Sequence, residues 1–274
     1  MDEGYPVLSC RRCRLLVLDD GPSVAPAKGL PRYGHHANLL GHSLERSVAE
    51  QQVRARSLVP SLMRLARRHG CKTLLDVGTG LGFLPRACAD AGMDAIGIEP
   101  EDVARAYAVR EHGVPAYRSF DEARAAGHST SDLITLFNVL EHVDDLSGLL
   151  SEVRSFMHAG SVAVFRVPNV SLYCVLQRMD GLRKRHTSVL QGPPEHRYGF
   201  SSRSLRVLLE RNGFHNCRYV STPIGTHAHD ASRLAHRMLR TILPKCDDVI
   251  RTVTLNRKAG MFGYTIVATR DDRV

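Results

Sequence analysis

The chain has 274 residues, 43% hydrophobic and 24% charged, enough to bury one substantial α/β core and too apolar for a disordered polymer. No apolar run reaches the roughly 18 residues of a membrane span, and the start, Met1-Asp2-Glu3-Gly4-Tyr5, lacks the basic-then-apolar layout of a signal peptide. Of the seven cysteines five (Cys71, Cys88, Cys174, Cys217, Cys246) are scattered singly, which suits thiols in a reducing compartment and makes a cytoplasmic location the expectation.

Residues 1 to about 44 read as irregular, with Gly21-Pro22, Pro26, Gly29 and Pro31 breaking any period. Cys10-Arg-Arg-Cys13 in this stretch is a single CxxC. It lacks the second pair of a four-thiolate zinc site, although His35 and His36 follow, and no metal is assigned. From Ser43 to His69 charged and apolar residues alternate at helical spacing, with Pro60 predicted to break or kink the helix. A helical and irregular segment over 1–69 is therefore expected to precede the main domain, 70–274.

In that domain strand and helix alternate. Strands are predicted at Lys72–Val77, Ala95–Ile98, Val114–Arg118, Asp132–Val139 and Ser161–Val167. Helices are predicted at Leu84–Ala91, Glu101–Glu111 and Leu146–Met157. Repeated βα units imply a parallel sheet covered on both faces. Two basic insertions, at about 170–200 and 225–258, interrupt the pattern. Between them lie a helix from Ser201 to Asn212, ended by Gly213, and a strand at Phe214–Ser221. Gly263–Ala268 is the closing strand.

The stretch with the most chemistry is Leu74-Leu75-Asp76-Val77-Gly78-Thr79-Gly80-Leu81-Gly82. An apolar strand empties into an acid and three glycines at alternate positions, a turn whose backbone must approach something closely. The next strand ends in Glu99, placed to accept from both hydroxyls of a ribose. The dinucleotide fingerprint is G-x-G-x-x-G, and Phe83 stands where it needs a small residue. Asp76 before the glycines suits a ligand with an amine better than one with phosphates.

Asp-x-Gly-x-Gly-x-Gly followed by Glu99 resembles the first two motifs of the class I S-adenosylmethionine-dependent methyltransferases. The likeness continues through Asp132–Val143 with Asn138-Val-Leu-Glu141-His142, Val167-Pro168-Asn169, and His196-Arg-Tyr-Gly-Phe200-Ser201. These resemble landmarks of the subgroup that includes ubiquinone-biosynthesis O-methyltransferases and natural-product and sugar methyltransferases. The segment Arg32-Tyr33-Gly34-His35-His36 is similar to one that some sugar C-methyltransferases fold over the cofactor. The resemblance implies a Rossmann-like, doubly wound, mostly parallel sheet of seven strands with an antiparallel last strand, and S-adenosylmethionine as cofactor. It implies that Asp76, Gly78, Thr79, Gly80, Glu99, Phe120 and Asn138 line the cofactor, Glu99 at the ribose and Phe120 at the adenine.

His142 and Glu141 are the candidate catalytic residues, His142 because its ordinary pKa near neutrality suits proton transfer from a hydroxyl. Ubiquinone-type relatives can hold a divalent metal with acids beside this histidine. Asn138 stands where one of those acids would be, and no metal is expected.

Charge bears on the acceptor. Residues 171–260 carry 16 Lys or Arg against 6 Asp or Glu, a net of +10, and the rest 21 against 22, a net of −1. The basic part suggests a small anionic acceptor or one delivered on an acidic carrier protein. Rival readings are an NAD-dependent oxidoreductase, disfavoured by the glycine spacing, and an RNA- or protein-directed methyltransferase. Phe137-Asn138-Val139-Leu140 lacks the prolines of nucleobase amino-methylating enzymes, so nucleic acid is not the expected partner, nor is a membrane.

Overall fold

The structure, a computed structural model, describes residues 7–18, 44–169, 196–220 and 263–270. Most of both insertions, the Arg178 to Arg185 cluster, the Arg32–His36 segment and His227 and His229 lie outside the described residues.

A short hairpin, β1 (Val7–Ser9) and β2 (Leu16–Leu18), is followed by α1 (Leu44–His69). The alternating core follows: β3 (Thr73–Val77), α2 (Phe83–Asp90), β4 (Asp94–Ile98), α3 (Asp102–His112), β5 (Ala116–Tyr117), α4 (Phe120–Ala125), β6 (Ser131–Phe137), α5 (Leu146–Ser155) and β7 (Met157–Pro168). Then come β8 (Tyr198–Gly199), α6 (Ser202–Arg211), β9 (Phe214–Tyr219) and β10 (Gly263–Arg270). Seven strands form one sheet in the order β5-β4-β3-β6-β7-β10-β9, and β10 runs antiparallel to both neighbours. The expected doubly wound sheet with an antiparallel last strand is the observed one.

Alternation along the strands explains two layers of core. Leu74, Ala95, Leu133 and Val162 face α1 and α2, where Leu58, Leu62, Ala66 and Cys88 meet them. Leu75, Ile96, Ile134 and Ala163, each one residue on, face the opposite side with Leu150, Phe156 and Leu205. A strand buried on both sides must be apolar throughout, which is why these read as continuous runs. The chain leaves β3 towards β4 and β5, then returns to place β6 on the other side of β3. The carboxyl ends of β3 and β6 therefore flank the switch point, where a sheet of this kind opens a crevice for ligand.

Several local expectations are corrected. Helix α1 runs unbroken through Pro60. The proline ring sits on the exposed face while Ala55, Leu58, Leu62 and Ala66 are buried, and that packing outweighs the roughly 3 kcal/mol an interior proline costs. The supposedly irregular start contains β1 and β2, which join β8 in a separate three-stranded antiparallel sheet. Strand β5 is shorter than expected, because Pro115 has no N–H and only its carbonyl is engaged, by the Gly97 amide at 2.9 Å. Helix α4 had no sequence signal beyond Ser119, whose hydroxyl caps Glu122 N at 3.2 Å. The helix predicted from Ser201 starts as expected: Ser201 and Ser204 form a reciprocal capping box.

Candidate functional site

The site begins where β3 ends. Asp76 is buried, and Thr135 on the adjacent β6 donates to its Oδ1 at 2.6 Å. Burial pushes its carboxyl up to about 6, against the opposing pull of that hydroxyl and of the Arg54 guanidinium. The turn that follows is anchored to β4, with Gly78 N and Thr79 N donating to Ile98 O at 2.8 and 3.1 Å. Gly78 and Gly80 take φ of 72° and 58°. A Cβ on Gly78 would stand 2.5 Å from Val139 Cγ2, and one on Gly80 2.9 Å from Gln51 Oε1. The turn is thus pressed between the segment after β6 and helix α1.

Glu99 closes the far side. Its Oε2 accepts from Gly80 N at 2.7 Å and its Oε1 from Glu101 N at 3.0 Å. Burial pushes the carboxyl up to about 7, with these two amides working against the shift. Each oxygen keeps a second lone pair for a hydroxyl donor. Phe120 lies in the core, its ring 5.3 Å from that of Phe156. Asn138 takes φ of 58° and donates from its amide to Arg166 O at 2.9 Å, which turns the chain sharply after β6.

Sequence reasoning placed the helix that is α1 but missed its part in the site. Gln51 Oε1 accepts from Leu81 N at 3.0 Å, so the amino-terminal half of this helix crosses directly over the glycine turn. Arg54, one turn further along α1, lies within electrostatic reach of Glu50, Glu141 and Asp76. Burial lowers its pKa while those three carboxylates favour its charge. No sequence signal marks it, because one arginine among many in an amphipathic helix reads as solvated face.

The second half of the site forms around Glu141. Its side chain is 1% exposed, and among the described residues neither carboxylate oxygen has a hydrogen-bond partner. Burial pushes its pKa up to about 8, despite Arg54 and Arg166 nearby. His142 Nε2 lies 4.0 Å from Glu141 Oε1. The His142 ring meets that of His196 edge to face, centroids 4.7 Å apart. The segment after His196 is fastened to this loop. Arg197 N and Tyr198 N both donate to Glu141 O, at 2.8 and 3.2 Å, and Arg197 pairs with Asp144 at 2.5 Å. Two motifs separated by 54 positions in sequence thus form one cluster.

Glu141, His142 and His196 each offer one donor atom, all within 4.8 Å of one another. One carboxylate and two imidazoles do not make the oxygen-rich set of a hard divalent ion, and Asn138 removes the further acid. No step is therefore routed through such a metal. What the cluster does hold is a raised carboxyl beside two imidazoles, a set that can accept and pass a proton near neutral pH.

The methyltransferase-domain family model matches residues 48–218, beginning within α1 and ending in β9. A ubiquinone biosynthesis O-methyltransferase from Actinobacillus pleuropneumoniae serotype 7 is 34% identical over 111 residues, covering 37% of this chain and 47% of that protein. One from Vibrio cholerae serotype O1 is 30% identical over 131 residues, covering 46% of this chain and 54% of its own. The chain thus spans about half the length of the curated relatives it matches. A SAM-dependent methyltransferase from Thermotoga maritima, described as a possible histamine N-methyltransferase, superposes with a TM-score of 0.54 at 15% identity. That match covers 86% of this chain and 99% of the other, and it bears on the fold alone.

Proposed function

The chain belongs to the methyltransferase-domain family, the class I S-adenosylmethionine-dependent methyltransferases, and on that premise we propose that it methylates a hydroxyl oxygen of a small acceptor. The observation that carries this reading is that α1 and the loop after β6, both packed on the glycine turn, bring the Glu99–Gly80 link and the Glu141–His142–His196 cluster to the same end of the sheet.

The residues fit the cofactor by chemistry. Gly78 and Gly80 offer a side-chain-free surface to its methionine part with Thr79 between them, Glu99 accepts from the ribose hydroxyls, and Asp76 supplies negative charge for the amine. Arg54 provides the cation for the carboxylate. The bound cofactor supplies an electrophilic methyl on a sulfonium, poised for in-line displacement. Catalysis is then positioning and exclusion of water. His142 would take the proton of the acceptor hydroxyl as the C–O bond forms, the sulfonium S–CH3 bond breaks and S-adenosylhomocysteine leaves. Glu141, held largely neutral by burial, and His196 orient the imidazole. The names of the curated relatives favour oxygen over carbon as acceptor, and the net charge of +10 over 171–260 favours an acceptor with carboxylate or phosphate groups, free or on an acidic carrier.

Calorimetry with S-adenosylhomocysteine and with NADH tests the first half of this reading: binding of the former alone is expected, and binding of NADH alone overturns it. Transfer of labelled methyl from S-adenosylmethionine to a panel of phenolic and hydroxy acids tests the second half. Label appearing only on nitrogen or carbon acceptors overturns the oxygen assignment.

A further inference from the structure

Helix α1 changes character along its inward face. Ala55, Leu58, Leu62 and Ala66 recur at helical spacing and are buried against the sheet. Continued towards the start of the helix, the same stripe reaches Gln51, half-buried, with Arg54 beside it. The apolar stripe thus turns polar where the helix crosses the glycine turn. A polar group turned inward needs a partner, and the Gln51 carboxamide has one for its oxygen alone.

Leu81 N can only donate, so the carboxamide atom 3.0 Å from it is the oxygen, and the direction of the nitrogen follows. Among the described residues Nε2 donates to no acceptor, and both of its N–H groups are left over. The same carboxamide lies in the space that a side chain on Gly80 would need. A Cβ there would stand 2.9 Å from Oε1 and 3.2 Å from Nε2. A donor pair of fixed direction therefore rests against the turn that receives the methionine part of the cofactor.

The parts of the cofactor differ in what they require. Its ribose hydroxyls donate to Glu99, and its ammonium group, which can only donate, suits Asp76. Two N–H groups require an acceptor, and on the methionine part that acceptor is the carboxylate. We propose that Gln51 is a cofactor-binding residue whose Nε2 donates to the carboxylate of S-adenosylmethionine beside the Arg54 cation, while its Oε1 stays on Leu81 N. The anchored oxygen holds the donor in place beforehand, so little side-chain freedom is lost on binding. The inference rests on the cofactor reading and adds to it the neutral group that recognises the amino-acid end.

The test compares two ligands on the full chain by calorimetry: S-adenosylhomocysteine, and its decarboxylated analogue, which lacks only the carboxylate. Gln51→Glu keeps the length and the acceptor for Leu81 N, removes both donors and turns a like charge towards the carboxylate. It should weaken S-adenosylhomocysteine by about 10- to 150-fold, the loss of a hydrogen bond to a charged group. The analogue should bind the variant as well as it binds the wild type, or better. A purely structural role would loosen the turn and its link to Glu99, and would weaken both ligands alike. Should Gln51→Glu lose its cooperative melting, Gln51→Met, uncharged and of similar length, should show the same selective loss. The inference is overturned if the folded variant shifts both ligands by one factor, or leaves S-adenosylhomocysteine unchanged. A wild-type chain that binds neither ligand overturns the cofactor reading along with it.

Discussion

The Glu99 carboxylate, at the end of β4, accepts a hydrogen bond at 2.7 Å from the amide of Gly80 in the turn after β3. This contact joins the two strand ends that read as separate motifs in the sequence, and it fixes the carboxylate before any ligand arrives. Glu99→Ala is expected to weaken S-adenosylhomocysteine binding by about 1.5 to 3 kcal/mol, the range for hydrogen bonds to a charged group. The carboxyl is pushed up to about 7, so affinity should also rise between pH 6 and 8 as the full acceptor forms. Calorimetry at the two pH values reads both effects. A flat pH response in the wild type would remove Glu99 from the ribose.

Gly80→Val probes the turn itself. The substitution forces a β-branched residue into φ of 58° and sets its Cβ 2.9 Å from Gln51 Oε1. The Gln51 amide is the end of a flexible side chain and can move, so the fold should survive a cost of about 1 to 2 kcal/mol. Cofactor binding should not. Unchanged affinity with an unchanged melting temperature would mean that the turn lies away from the ligand.

Arg54 gives a third expectation. Arg54→Gln should lower cofactor affinity by roughly tenfold or more, the loss of one charge-assisted contact. Arg54→Lys should restore part of it, since the charge remains and the fork does not. Equal affinities for all three proteins would place the arginine in a purely structural role towards Asp76 and Glu141.

The glycine turn, Glu99 and the order of core strands were legible because each follows from local pattern: apolar runs, a forced backbone approach, an acid at a strand end. Gln51 and Arg54 were not legible. Their roles arise from where α1 packs, and a long amphipathic helix looks the same whether its polar residues face water or a crevice. The same limit applies to His196, singled out as a landmark but brought to Glu141 across 55 positions by the fold, with Arg197 and Tyr198 fastened to the Glu141 carbonyl.

Three buried carboxyls make the stability of the ligand-free protein depend on pH in an unusual direction. Burial pushes Asp76, Glu99 and Glu141 up to about 6, 7 and 8 from ordinary values of 3.8 and 4.5. Between about pH 4 and 8 the folded state therefore holds more protons than the unfolded one, and stability falls as pH rises through that window. Asp132 acts in the opposite sense. Burial alone would raise it, but the Lys72 and Thr73 amides and His158 hold it down to about 2, so its contribution is lost only as pH falls below about 4. Urea midpoints should therefore peak near pH 4, and Glu141→Gln should flatten the decline above it. A midpoint that climbs from pH 5 to 8 in the wild type would show that these carboxyls ionise freely in the folded chain.

The cluster of Glu141, His142 and His196 carries the last expectation. His142 sits 4.0 Å from a carboxylate that burial keeps mostly neutral at pH 7, and its ring is braced by His196. A proton acceptor in this position contributes about 10² to 10⁴ in rate. His142→Ala should therefore reduce kcat by that factor while cofactor affinity, set by the other half of the site, stays within about twofold. His196→Ala should cost less, because it removes the brace and leaves the base. Glu141→Gln preserves the neutral form and should leave kcat near wild type at pH 6, with a difference that appears as pH rises through about 8, where the wild-type carboxyl ionises. The decisive measurement is kcat against pH for the wild type and these variants, with S-adenosylhomocysteine affinity alongside. A His142→Ala enzyme with undiminished kcat would assign the proton to another group and leave the cluster as a strut between the loop after β6 and the segment leading into β8.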